Sequence, residues 1–73
     1  MEMSELIKAI RSQLGLSQEA FAEAIHVAFS TVNRWENNKS TPNSMARALI
    51  ADYCEKNSVD KNLIAAIKKE KGR

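Results

Sequence analysis

The stretch Gly15–Pro42, GLSQEAFAEAIHVAFSTVNRWENNKSTP, holds two short apolar-periodic segments separated by the interruption His26-Val27-Ala28. Ser17 has the side chain to cap the first segment. Glu19 sits in its first turn, where the helix dipole favours an acid, and Phe21, Ala24 and Ile25 share its inner face. This spacing predicts a helix over roughly residues 18–25. The second segment begins near Ala28 or Phe29 and runs to about Asn37, with Val32 and Trp35 facing inward. Two helices of about eight residues joined through three or four and crossing near a right angle form a compact, self-supporting corner.

Outward from that corner the pattern stays helical. Leu6, Ile7, Ile10 and Leu14 form a stripe that ends at Gly15, a residue suited to the left-handed position after a helix, which predicts a first helix over roughly 4–14. Downstream, NNKSTPN is the longest polar run, contains the only proline and predicts a loop. Asn43 can cap a fourth helix whose inward stripe is Met45 or Ala46, Leu49, Ile50 and Tyr53. Asn57-Ser58 closes it, Asn being the more tolerant of the left-handed conformation. Asp60 then caps a fifth helix with Leu63, Ile64 and Ile67 on one face. The expected fold is all-α, five helices in one domain over residues 1–73, with a basic tail at 68–73.

Apolar residues are 44% of the chain, charged residues 27% and aromatics 5%, the balance of a folded soluble protein. No apolar run approaches a membrane span, and the start MEMSELIKAIRSQ lacks the profile of a signal peptide, so the expected location is cytoplasmic and no membrane partner is expected. One cysteine, Cys54, excludes an internal disulfide, and with His26 as the single histidine no zinc set can be assembled. No cofactor, metal or small-molecule substrate is expected. A nucleophile, base and oxyanion donors cannot be built from these residues, which argues against an enzyme. Charge is uneven: residues 1–36 carry three bases against five acids, whereas residues 37–73 carry eight against four.

Gly15, Leu16, Ser17, Gln18, Ala22, Ile25, Val27, Val32, Trp35, Glu36, Asn37 and Lys39 stand in a pattern that closely resembles the helix-turn-helix of the phage Cro and repressor proteins, the XRE-type bacterial regulators. The resemblance covers roughly residues 4–68, with the helix-turn-helix unit at about 17–37. It implies a protein that binds double-stranded DNA in a sequence-specific way, with the third helix in the major groove of a pseudo-palindromic operator, and regulates transcription, as a repressor and as a homodimer. Within it, Phe29, Ser30, Asn33 and Arg34 take the base-reading positions. Arg34 suits guanine N7 and O6, Asn33 suits adenine, and Phe29 can lie against thymine methyls or else turn into the core. Gln18, Thr31, Asn37, Lys39, Ser40, Thr41 and Asn43 take phosphate-contacting positions. Arg11 corresponds to an arginine paired with the glutamate at Glu36. Tyr53, Leu63, Ile64 and Ile67 are the expected dimer face, the alternative being that the fifth helix only closes the core.

Three positions depart from the family pattern. His26 replaces the turn glycine, where a left-handed residue other than glycine costs about 1–2 kcal/mol. Ala28 stands where a hydroxyl cap is common, and Asn38 replaces a glycine at the end of the third helix. An alternative use of the same fold is a protein-interaction or antitoxin-like module with the acidic first half facing a protein.

Overall fold

The computed structural model describes residues 1–69 as five helices: α1 Met3–Leu14, α2 Gln18–Ala24, α3 Phe29–Glu36, α4 Ser44–Lys56 and α5 Lys61–Lys68. There is no strand among the described residues. Lys71 and Arg73 of the expected basic tail lie outside them.

Side-chain caps set three of the helix starts. Ser17 Oγ accepts the Ala20 N–H at 3.0 Å, Asn43 Oδ1 that of Ala46 at 2.9 Å and Asp60 Oδ1 that of Asn62 at 2.7 Å. Each satisfies a donor that the first helical turn leaves unpaired. Ala28, at the start of α3, has no side chain to do this, and α3 begins without a side-chain cap.

Four helices end alike. The chain turns left-handed at Gly15 (φ 69°), His26 (φ 65°), Asn38 (φ 61°) and Ser58 (φ 59°). The next residue then donates back five positions: Leu16 to Arg11 O at 3.2 Å, Val27 to Ala22 O at 2.9 Å, Lys39 to Arg34 O at 2.9 Å and Val59 to Cys54 O at 3.0 Å. This is the Schellman arrangement, which satisfies carbonyls that a helix end would otherwise leave unpaired. At the end of α4 the left-handed residue is Ser58, while Asn57 keeps φ −114°. Asn57 is instead occupied in bonding backwards, its Nδ2 donating to Tyr53 O at 2.8 Å. Gly15 has the residue type the turn favours most, and a Cβ there would meet nothing within 4 Å, so its glycine serves the backbone angle alone.

The core is one cluster fed by every helix: Leu6, Ile7 and Ile10 from α1, Phe21 and Ala22 from α2, Val32 and Trp35 from α3, Ala46, Ile50, Ala51 and Cys54 from α4, and Ile64 and Ile67 from α5. Ile25 and Val59 seal the turns. The helices form two pairs, α2 with α3 and α4 with α5, and α1 packs against α3 and α5 to join them. Ala22 is small enough to let α2 and α3 approach.

The inward stripe expected on α4 is met in part. On α4 the buried line is Ala46, Ile50 and Cys54 with Ala51 beside it, whereas Met45 is 74% and Leu49 38% exposed. Of the two alternatives, Ala46 rather than Met45 turns inward, and Leu49 lies at the flank. On α5, Ile67 is fully buried and Ile64 nearly so within the chain's own core, because α5 folds back on α1 and α4. Tyr53 and Leu63 are partly buried at the rim of the same cluster.

Candidate nucleic-acid interface

α3 has two faces of different use. Val32, Trp35 and Glu36 are buried against the domain. Ser30 and Arg34 are exposed, and Phe29 is 46% exposed and outside the core cluster, so its ring is turned toward solvent and not toward the interior. Thr31 and Asn33 are half-buried along the margins.

Glu36 anchors this helix from below. Its carboxylate accepts Arg11 Nε at 2.7 Å on Oε2 and Arg11 Nη2 at 3.1 Å on Oε1, a two-point pairing that fixes distance and plane together. Arg11 Nη1 also donates to Leu16 O at 3.0 Å, so the same guanidinium ties α1, the α1–α2 turn and α3. Burial pushes the Glu36 carboxyl up, but hydrogen bonds from Arg11 and Gln18, with the charges of Arg11 and Lys8, outweigh it and hold the group below the usual carboxylate range. The hydrogen bond to Glu36 correspondingly raises Arg11, against an opposing effect of burial.

A line of amides continues from that carboxylate. Gln18 Nε2 donates to Glu36 Oε1 at 2.9 Å, Asn33 Nδ2 donates to Gln18 Oε1 at 3.1 Å, and Asn37 Nδ2 donates to Asn33 Oδ1 at 3.2 Å and Asn33 O at 2.9 Å. Three residues expected to meet DNA separately, Gln18, Asn33 and Asn37, are thus bonded to one another. Residues 18 and 33 are too far apart in sequence for helical spacing to reveal their contact.

Beyond α3, Lys39 and Thr41 are exposed and Ser40 is half-buried in the loop to α4. Asn43 is exposed but spends its side-chain oxygen on the cap of α4. Arg47 Nη1 donates to Pro42 O at 2.9 Å, which braces this loop against α4. Met45 and Leu49 line a shallow groove with Val27, Thr31 and Trp35, beside the turn at His26.

Chemistry other than binding finds little material. Cys54 is buried in the core, and burial, with the charge of Glu55 adding, pushes its thiol up to about 11, so it is protonated at neutral pH. His26 is exposed at a turn. No group of three metal-ligating side chains occurs among the described residues. Nor, among them, is any helix long and apolar enough to cross a membrane.

A family profile described as Helix-turn-helix matches residues 7–58. The chain belongs to the helix-turn-helix family. The matched region takes in every candidate base- and phosphate-contacting residue, and it stops before α5. In this helix-turn-helix protein α2 and α3 are the two helices of the unit, joined through His26.

Two curated relatives are similar to it. The HTH-type transcriptional activator BcrR of Enterococcus faecalis is 30% identical over 53 residues, covering 73% of this chain and 26% of that protein. Antitoxin HigA-2 of Vibrio cholerae is 36% identical over 44 residues, covering 60% of this chain and 42% of that protein. The helix-turn-helix chain therefore spans less than half the length of either relative. No solved structure matches it.

Proposed function

We propose that this helix-turn-helix protein is a cytoplasmic transcriptional regulator that binds double-stranded DNA, presenting α3 to the major groove of a pseudo-palindromic operator as a homodimer. The observation that carries this reading is the outward display of Phe29, Ser30 and Arg34 on a helix whose back is locked by the Arg11–Glu36 pair. Arg34 would bridge guanine N7 and O6, Ser30 would bond either strand, and Phe29 would cover thymine methyls. Thr31, Lys39, Ser40 and Thr41 would hold phosphates on the flank, with Gln18 on the other side of α3 and Asn37 and Asn43 at the helix ends. Occupying an operator in this way blocks polymerase access, which makes repression the expected outcome.

Selection from random duplex DNA tests the reading. The expected result is one enriched sequence with internal two-fold symmetry, bound with an affinity that falls steeply as salt rises. Equal, weak binding to all duplexes would overturn it.

A second reading, a protein-interaction or antitoxin-like module, draws on the similarity to Antitoxin HigA-2 and on the exposed Met45 and Leu49. It expects Met45→Asp to abolish partner capture while leaving DNA binding unchanged.

A further inference from the structure

Phe29 is set apart from the chain's other aromatic residues. Phe21 and Trp35 lie in the core and Tyr53 packs at its rim, whereas the Phe29 ring is outside that cluster and half exposed. Nor does it belong to the shallow groove of Met45 and Leu49, whose lining passes from Ala28 to Thr31 without it. Around it on α3 stand the polar Ser30, Asn33 and Arg34. Phe29 is also the first residue of α3. Side chains of a helix lean toward its N-terminus, so the ring sits at the end of α3 that would meet base edges.

A phenyl ring has no hydrogen-bond donor or acceptor with which to read those edges. In the major groove the pyrimidines differ in two ways: thymine carries an oxygen acceptor where cytosine carries an amino donor, and thymine adds a methyl group at C5. The ring is blind to the first difference and responds to the second. 5-Methylcytosine bears the same methyl group on the same carbon.

We propose that Phe29 reads the C5 methyl group and not the pyrimidine beneath it, so that DNA methylated at cytosine C5 is a ligand this chain distinguishes from unmethylated DNA. At the position the ring covers, 5-methylcytosine binds more tightly than cytosine by the same factor as thymine binds more tightly than uracil. The inference rests on the DNA-binding reading and extends it from the sequence of the DNA to its covalent state. One methyl group removed from water is worth about fourfold in affinity. It carries no charge, so the gain is independent of salt.

The test uses the full chain and the duplex enriched from random DNA. Each thymine is replaced by uracil, one at a time, and the position that loses about fourfold with the wild type but nothing with Phe29→Ala is the one the ring covers. Its A·T pair is then exchanged for G·C, and cytosine is compared with 5-methylcytosine there. The expected result is about a fourfold gain on methylation for the wild type, equal at low and moderate salt, and none for Phe29→Ala. Phe29→Leu keeps an apolar contact and should keep part of both methyl effects.

Three results would overturn the proposal: no thymine whose methyl group matters through Phe29, a methyl effect at thymine but none at cytosine, or methyl effects that persist in Phe29→Ala. Each leaves the DNA-binding reading standing, because a duplex has been enriched. If no duplex is enriched, the DNA-binding reading itself fails and the methyl reading fails with it.

Discussion

Glu36 shows how much one side chain can organise. It is 4% exposed, yet it stays ionised because three donors from two other helices meet it. Removing Arg11 leaves a buried carboxylate short of its counter-charge, and Arg11→Ala is expected to cost about 3 kcal/mol at pH 7, measured by denaturant midpoints. The pH dependence follows from the depressed carboxyl. Its stabilisation is fully present above the unfolded value of about 4.3 and is lost as pH falls through the lower folded value. In Arg11→Ala burial is opposed only by Gln18 and Lys8, so NMR titration should find the Glu36 carboxyl raised relative to the wild type. The proposed base and phosphate roles separate at the same scale. Arg34→Ala should relax preference at one base pair at a cost of about 1–3 kcal/mol, whereas Lys39→Ala should weaken all sites alike and lower the salt slope by about one, both read by titration across salt. The Arg11–Glu36 pair came from the family resemblance, and the structure contains it. The amide line did not, because neither periodicity nor family pattern couples Asn33 to Gln18, and a polar side chain on a recognition helix looks free until its neighbours are placed.

At the scale of the element, helix ends were the most legible feature. Ser17, Asn43 and Asp60 are short polar side chains before apolar-periodic runs, and all three cap. The left-handed turns at Gly15, His26 and Asn38 fell where a periodic run stopped. The face of α4 was less legible, because Met45 with Leu49 and Ala46 with Ile50 have the same spacing. The folded chain buries the line of Ala46 and Ile50. The poor start of α3 carries its own consequence. Ala28→Ser should raise stability by about 1 kcal/mol through a new cap. His26→Gly should raise it by up to about 1 kcal/mol, since relief of left-handed strain exceeds the added freedom of the unfolded chain. Thermal midpoints of the two single variants and the double check both values.

For the whole molecule, charge and size pull in one direction. Residues 1–36 are net acidic although they contain α2 and α3, so few cations stand where a polyanion would approach. The attraction of one copy for DNA is correspondingly small, since affinity rises with each phosphate neutralised. In the proposed homodimer, two copies on a symmetric site would offset this. Deleting one half-site from the enriched duplex should therefore reduce affinity by far more than half. Shifting the half-sites by five base pairs should do the same, because it turns the two recognition faces to opposite sides of the helix; gel-shift titration measures both. Where the copies would meet was not legible: an apolar stripe on α5 suits a partner as well as it suits the chain's own interior. Within the chain α1 and α4 cover Ile64 and Ile67, while Tyr53 and Leu63 stay partly exposed at the rim.

The repeated helix ending makes these corners hold their protons. Leu16, Val27, Lys39 and Val59 lie outside the helices, where amides ordinarily trade hydrogen with water within moments, yet each is bonded to a carbonyl five residues earlier. Deuterium should enter these four positions about as slowly as the last turn of the helix each one closes, and far more slowly than Ser40 or Thr41. The joints that set the angle between α2 and α3 would then open only with the helices themselves, and the recognition face would keep its shape between encounters.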